Sequence, residues 1–177
     1  DCHQVLVSPG APWTPPLAVK WRMSRGRPVV TRVSWGNAGA PHPACPPCEE
    51  VPEAIATLVA QILSMLKGQE AKPSLSLADI RALSPFQRAV LRATHAIPWG
   101  QTTTYGRLAH AIGRPGAMRA VGRALSANPF PLIVPCHRVV CSDGRLGGFS
   151  GPAGMKRRLL LTEGLGMDDS GKVIGLR

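Results

Sequence analysis

Thr104–Ala127 reads TYGRLAHAIGRPGAMRAVGRALSA, and the fold of the C-terminal half turns on it. Tyr105, Leu108, Ala109 and Ile112 recur at helical spacing, so a helix is expected over about Thr104–Ile112. Gly113-Arg114-Pro115-Gly116 is a tight connector rich in helix breakers. A second helix is expected over about Ala117–Ala127, with Met118, Val121 and Leu125 turned inward. Two short helices joined by a Gly-containing turn form a helix-turn-helix pattern. The outer face of the second helix carries Arg119 and Arg123, four residues apart and therefore neighbours. Gly122 thins the helix between them, so a backbone can approach. A plain helical hairpin with solvated arginines fits the same pattern, so charge has to decide.

The flanking segments extend the picture. Upstream, Ser84-Pro85-Phe86-Gln87 is a capping box with Pro at the first helical position. Ala89, Val90, Ala93 and Ile97 continue that helix until Pro98 stops it, and Trp99-Gly100 make a turn. Downstream, two short β-rich pieces are expected on either side of Cys136, in a stretch stiffened by Pro129, Pro131 and Pro135. A Gly-rich loop follows over residues 144–154. A last helix is expected from about Pro152 to Glu163, and residues 164–177 read as a tail.

The N-terminal half has a different pattern. Gln4–Val7, Leu17–Met23 and Pro28–Trp35 are rich in Val and Trp, are broken by Gly and Pro, and suit an antiparallel sheet. Residues 36–52 are a Pro-rich connector. Ile55, Leu58, Val59, Ile62, Leu63 and Leu66 then mark a helix. Glu49, Glu50 and Glu53 stand at its start and Lys67 at its end, as the helix dipole favours. Gly68 suits the stop. Residues 69–79 look like a linker. The expected fold class is therefore α/β in the α+β sense. Residues 1–79 form an N-terminal domain of a small antiparallel sheet plus helix, and residues 80–177 a mostly helical C-terminal domain.

Charge separates the halves. Residues 1–80 hold seven Lys/Arg against six Asp/Glu, whereas residues 81–177 hold fourteen against four, within a total net charge of +11. Solubility does not require such segregation; a polyanion partner, nucleic acid first, does. No apolar run approaches the roughly 20 residues needed to cross a bilayer. The N-terminus shows no export pattern, and five cysteines, an odd number, argue against a disulfide scaffold. A reducing, intracellular setting is expected, cytoplasmic beside the nucleoid or nuclear.

Cys136 sits before His137 and Arg138. A thiolate is the nucleophilic form of cysteine, and a neighbouring base or cation promotes it. His137 is the candidate base, Arg138 adds positive charge, and Glu163 on the last helix is the best-placed carboxylate to orient the imidazole. Adjacent residues on a strand point to opposite faces, so this pair can cooperate only if the backbone turns at Cys136. Cys45-Pro-Pro-Cys48, with Cys2, His3 and His42, offers enough ligands for a structural zinc; reduced loop cysteines are the other reading.

The C-terminal segments resemble the O6-alkylguanine-DNA alkyltransferase family. The resembling residues are Ser84-Pro85-Phe86-Gln87, Ile97-Pro98-Trp99-Gly100, Thr104-Tyr105-Gly106, Arg119-Ala120-Val121-Gly122, Ala127-Asn128-Pro129, Ile133-Val134-Pro135-Cys136-His137-Arg138-Val139-Val140, Gly147-Gly148-Phe149-Ser150-Gly151 and Leu159-Leu160-Leu161-Thr162-Glu163-Gly164. They cover about residues 80–166. Trp99 and Phe149 stand where many members have Tyr.

The resemblance implies a ribonuclease H-like N-terminal domain and a winged helix-turn-helix C-terminal domain. It implies a monomer that binds double-stranded DNA containing O6-alkylguanine through the minor groove, with O4-alkylthymine as a further candidate substrate. Cys136 would accept the alkyl group once, after the base is flipped out. His137 would deprotonate Cys136 through a water, Glu163 would orient His137, and Asn128 would brace the turn. Tyr105 would hydrogen-bond the flipped guanine. Arg119 would fill the gap in the stack, and Ala120, Gly122, Arg123, Arg138 and Ser150 would share the DNA contact. Pro131, Val139, Phe149 and Ser150 would shape the base pocket. No cofactor is implied. A regulator without chemistry and a cysteine hydrolase are weaker readings: the first leaves Cys136 and Glu163 idle, and the second needs an oxyanion hole that no local signature supplies.

Overall fold

The computed structural model describes residues 3–7, 14–36 and 50–175. They fall into two compact units, Asp1–Asp79 with Pro129–Ile133, and Ile80–Asn128 with Val134–Arg177. Cys2, His42, Cys45 and Cys48 lie outside the described residues.

The first unit contains strands β1 (His3–Val7), β2 (Leu17–Ser24) and β3 (Arg27–Trp35), antiparallel in the order β1-β2-β3. The β2–β3 hairpin pairs Ser24 with Arg27 across Arg25-Gly26. Both turn residues have positive φ, 51° and 77°, which a two-residue primed turn demands and which Gly26 meets without a Cβ. Helix α1 (Glu53–Leu66) buries Ile55, Leu58, Ile62, Met65 and Leu66. It is closed by Gly68 N–H to the Met65 carbonyl (3.1 Å) and Gln69 N–H to the Ser64 carbonyl (3.0 Å). With φ of 82° at Gly68, this is the paired C-terminal stop that a left-handed glycine permits.

One segment departs from the sequence expectation. Pro129–Ile133, expected with the C-terminal half, belongs to the first unit. The Pro129 carbonyl accepts from Val33 N–H at 2.8 Å, and Phe130, Leu132 and Ile133 are buried.

The second unit holds α2 (Pro85–His95), β4 (Thr103–Thr104), α3 (Tyr105–Ala111), α4 (Met118–Ser126), β5 (Val139–Val140) and α5 (Met155–Thr162). Ser84 Oγ accepts from Gln87 N–H at 3.2 Å, and Thr104 Oγ1 from Arg107 N–H at 3.2 Å, so α2 and α3 begin on side-chain caps. The three helices α2, α3 and α4 pack on one another, burying Val90, Leu91, Leu108, Ala109, Val121 and Leu125. Strands β4 and β5 pair in parallel, Thr103 with Val139 and Thr104 with Val140. That short pairing ties the start of α3 to the segment that follows Cys136.

Two further expectations change. Helix α5 starts at Met155 rather than Pro152, because Gly154 with φ of 74° is its cap. The segment expected as a tail forms a hairpin: Met167 and Val173 form an antiparallel bridge, and Val173 joins a buried cluster with Val140 and Leu160. Among the described residues, no helix is long and apolar enough to cross a membrane.

Candidate active site

The backbone does turn at Cys136. Only its downstream flank is a strand; Cys136–Arg138 is a single 3-10 turn. Pro135 has φ −77° and ψ 63°, and Cys136 N–H reaches the Val134 carbonyl at 2.8 Å, the geometry of an inverse γ-turn. Arg138 N–H then reaches the Pro135 carbonyl at 2.9 Å. The Asn128 amide donates to the Val134 carbonyl at 3.3 Å and hydrogen-bonds the Cys136 sulfur. Asn128 therefore holds both the turn and the thiol.

Cys136, His137 and Arg138 are all buried. His137 Nε2 is 2.7 Å from Glu163 Oε1. Beside a carboxylate, Nε2 carries the proton and Nδ1 is left as the acceptor. Nδ1 is buried and has no hydrogen-bond partner among the described residues. It is therefore the atom free to take a proton. Burial lowers the His137 pKa, the Glu163 hydrogen bond and charge oppose that, and the charges of Arg138 and Lys156 add to the lowering. The imidazole is thus neutral, as a base must be. No side-chain hydrogen bond joins Cys136 directly to His137 among the described residues.

Arg138 corrects an expectation. It is not on a DNA-facing surface. Its Nε donates to Glu163 Oε2 at 2.8 Å, its Nη2 to Oε1 at 2.9 Å and its Nη1 to the Ile97 carbonyl at 2.7 Å. Its guanidinium stacks 5.5 Å from the Trp99 ring centroid. Gly100 N–H adds a bond to Glu163 Oε2 at 3.2 Å. Burial alone would raise the Glu163 pKa, but the hydrogen bonds and charges of His137 and Arg138 prevail and hold it below the usual carboxylate range. A planar fork on a carboxylate is the geometry Arg supplies and Lys does not.

Cys136 lines a cavity of about 750 Å³. Its thiol is pushed up by burial, against hydrogen bonds from Asn128 and the backbone and the positive charge of Lys156. Thr104, Tyr105, Gly106, Met118, Arg119, Gly122 and Arg123 line one part of the cavity. Cys141, Ser142, Asp143, Arg145 and Gly147–Ser150 line another. Arg119, Arg123 and Ser150 are exposed, and Ala120, Gly122 and Phe149 are half-buried. Ala120, Val139 and Pro131 are not among the lining residues. Val139 is fully buried, and Cys141 and Gly148 are lining residues that the sequence did not single out for the pocket.

Tyr105 is half-buried, with its hydroxyl 3.5 Å from the Gly148 carbonyl. Its pKa is raised by burial and by negative charge on Cys141 and Cys136, so it stays a protonated donor. Gly147 makes room for it: at φ of 69°, a Cβ would lie 3.0 Å from the Tyr105 hydroxyl.

Lys156 escaped the sequence reading. It is buried, its ammonium donates to the Val139 carbonyl at 2.6 Å and the Gly148 carbonyl at 3.3 Å, and it lies 5.9 Å over the Tyr105 ring. Burial brings its pKa down to about 8, against the pull of Cys136 and Cys141. A signal was present: on α5 it shares the buried face of Met155, Leu159 and Leu160. A lysine on an apolar helix stripe needs polar partners.

Residues 85–165 match the family model described as "6-O-methylguanine DNA methyltransferase, DNA binding domain". A relative from Methanothermobacter thermautotrophicus, named methylated-DNA–protein-cysteine methyltransferase, is 43% identical over 117 residues, covering 66% of this chain and 65% of its own. One of the same name from Mycolicibacterium paratuberculosis is 44% identical over 114 residues, covering 64% and 68%. The chain thus spans about two thirds of the length of each. The crystal structure of Mycobacterium tuberculosis OGT in complex with DNA is similar over 92% of each chain, with TM-score 0.70 and 33% identity.

Proposed function

The chain belongs to the methylated-DNA–protein-cysteine methyltransferase family, and from that premise we propose that it reverses O6-alkylguanine damage in DNA by moving the alkyl group onto Cys136. The observation that carries this is the thiol itself. Cys136 lines a cavity rimmed by Arg119 and Arg123, and the next residue is a neutral histidine held by Glu163.

The thiol proton passes to His137 Nδ1 through a water. The sulfur then attacks the alkyl carbon; the S–C bond forms as the C–O6 bond breaks, and the bonding pair leaves on guanine. Tyr105 donates a hydrogen bond to the departing base and supports that charge until the base takes up a proton from water, to which the His137 imidazolium returns the one it accepted. The net change exchanges the thiol hydrogen for the alkyl group. The thioether is stable, so each chain acts once, and no cofactor enters the balance.

The target lies inside the duplex, so the nucleotide must be extruded at a cost of a few kcal/mol. Arg119, exposed at the start of α4, fills the vacated space. Arg123 and Ser150 serve the backbone and the base. On this reading the second unit is a winged helix-turn-helix that enters the minor groove as a monomer, and the first is ribonuclease H-like. The protein would act where the genome is, inside the cell. The same reading extends to O4-alkylthymine as a second substrate of the cavity.

Cys136→Ala separates binding from chemistry. It should bind a lesion-containing duplex as the parent does and transfer nothing. Transfer persisting in this variant would overturn the proposal.

A further inference from the structure

We propose that the C-terminal hairpin around Met167–Val173 sets the width of the alkyl cavity and so the size of group the protein can take; this rests on the alkyl-transfer reading above. The cavity wall formed by Cys141, Ser142, Asp143 and Arg145 is a single turn of chain. Cys141 N–H bonds the Arg145 carbonyl at 2.8 Å, and Gly144 N–H bonds the Cys141 carbonyl at 3.1 Å. The far side of this turn rests on the hairpin. Val173 N–H donates to the Gly144 carbonyl at 2.9 Å. The two backbones meet so closely that a Cβ at Gly144 would lie 3.1 Å from the Val173 carbonyl oxygen.

Side chains reinforce that contact. Val140, just before the turn, is buried with Leu160 and Val173, and Leu146, just after it, packs on the same cluster with Leu165 and Met167. The turn is therefore anchored at both ends by one apolar patch, to which the hairpin supplies Met167 and Val173, and at Gly144 by a backbone hydrogen bond. Asp168 closes the hairpin: its N–H bonds the Lys172 carbonyl at 2.9 Å, and its Oδ1 accepts from Lys172 N–H at 2.9 Å and Ser170 Oγ at 2.8 Å. None of these hairpin residues lines the cavity. Loosening the hairpin should free the wall to move outward without touching Cys136, His137 or Glu163. A benzyl group is larger than a methyl group and should gain more from that freedom.

The test uses the full chain with Asp168→Ala, which opens the hairpin turn at the surface, and Val173→Ala, which weakens its anchor. Single-turnover rates are measured on duplexes carrying O6-methylguanine or O6-benzylguanine, with melting curves to confirm that each variant is folded. Both variants should keep the methyl rate and raise the benzyl-to-methyl ratio by about threefold or more, within the range that small changes in an apolar pocket command. An unchanged ratio, whether the two rates hold or fall together, would overturn the proposal. Failure of the unaltered protein to react with either duplex is a different result, and would overturn the alkyl-transfer reading itself.

Discussion

Glu163 stands 2.7 Å from His137 Nε2 while both of its oxygens are held by the guanidinium of Arg138. One carboxylate therefore orients the base and neutralises the cation next to it. Glu163→Gln keeps the shape and removes the charge, so Arg138 is left buried without its counter-ion. We expect a loss of about 3–5 kcal/mol in denaturant unfolding and a slower alkyl transfer. Unchanged stability would show that the Arg138 charge is satisfied elsewhere.

Arg138 and Arg123 should behave oppositely. Arg138 is buried in the fold and Arg123 is exposed at the cavity. Arg123→Ala should lower the salt dependence of DNA binding by about one unit of slope and leave melting unchanged. Arg138→Ala should lower the melting temperature and leave the salt slope as it is. The reverse pattern would return Arg138 to the DNA surface.

Stability should fall on the acid side. His137 is held below its ordinary value, chiefly by burial, so as pH drops the unfolded chain binds this proton before the folded one does. Its contribution is complete above the ordinary histidine range and is lost below about pH 6.5. Glu163 is also held low, so its contribution disappears at still lower pH. Urea unfolding from pH 8 to pH 4 should show a plateau and then a decline, the first part of which His137→Asn flattens. A rise in stability between pH 7 and pH 5 would contradict the buried neutral imidazole.

Lys156 holds the Val139 and Gly148 carbonyls and bears a charge that lowers the Cys136 thiol. Lys156→Met should move the pH profile for alkylation of Cys136 by iodoacetamide to higher pH and slow repair by about tenfold or more. An unmoved profile would reduce Lys156 to a structural tie.

Arg119→Ala should slow repair of a duplex lesion far more than it weakens DNA binding, because the residue acts on the extruded state. Reaction with free O6-benzylguanine, which needs no flipping, should hold its rate. Equal losses on both substrates would place Arg119 in the base pocket instead.

The sequence was most readable where local rules act alone. The Ser84 cap, the apolar stripes of α1 to α4 and the stop at Gly68 follow from spacing and backbone preference, and each element lies within a few residues of its expected place. The candidate set Cys136, His137 and Glu163 could be read because a cysteine followed by a histidine and a shortage of acids left few choices, and the structure brings His137 and Glu163 together. What escaped depends on contacts distant in sequence. Arg138 reads as a surface charge until Glu163, 25 residues away, is seen to bind it. Pro129–Ile133 joins the first unit through Val33, and the tail becomes a hairpin because Val173 has Val140 and Leu160 to pack against.

Mass measurement on Cys136 tests the central claim most directly. The protein is incubated with a duplex containing one O6-methylguanine, and intact and peptide masses are taken. We predict a gain of about 14 Da, one methyl per chain, on the peptide that contains Cys136, with no further turnover. An unmodified Cys136 beside a repaired base, or repeated turnover by a single chain, would contradict the account.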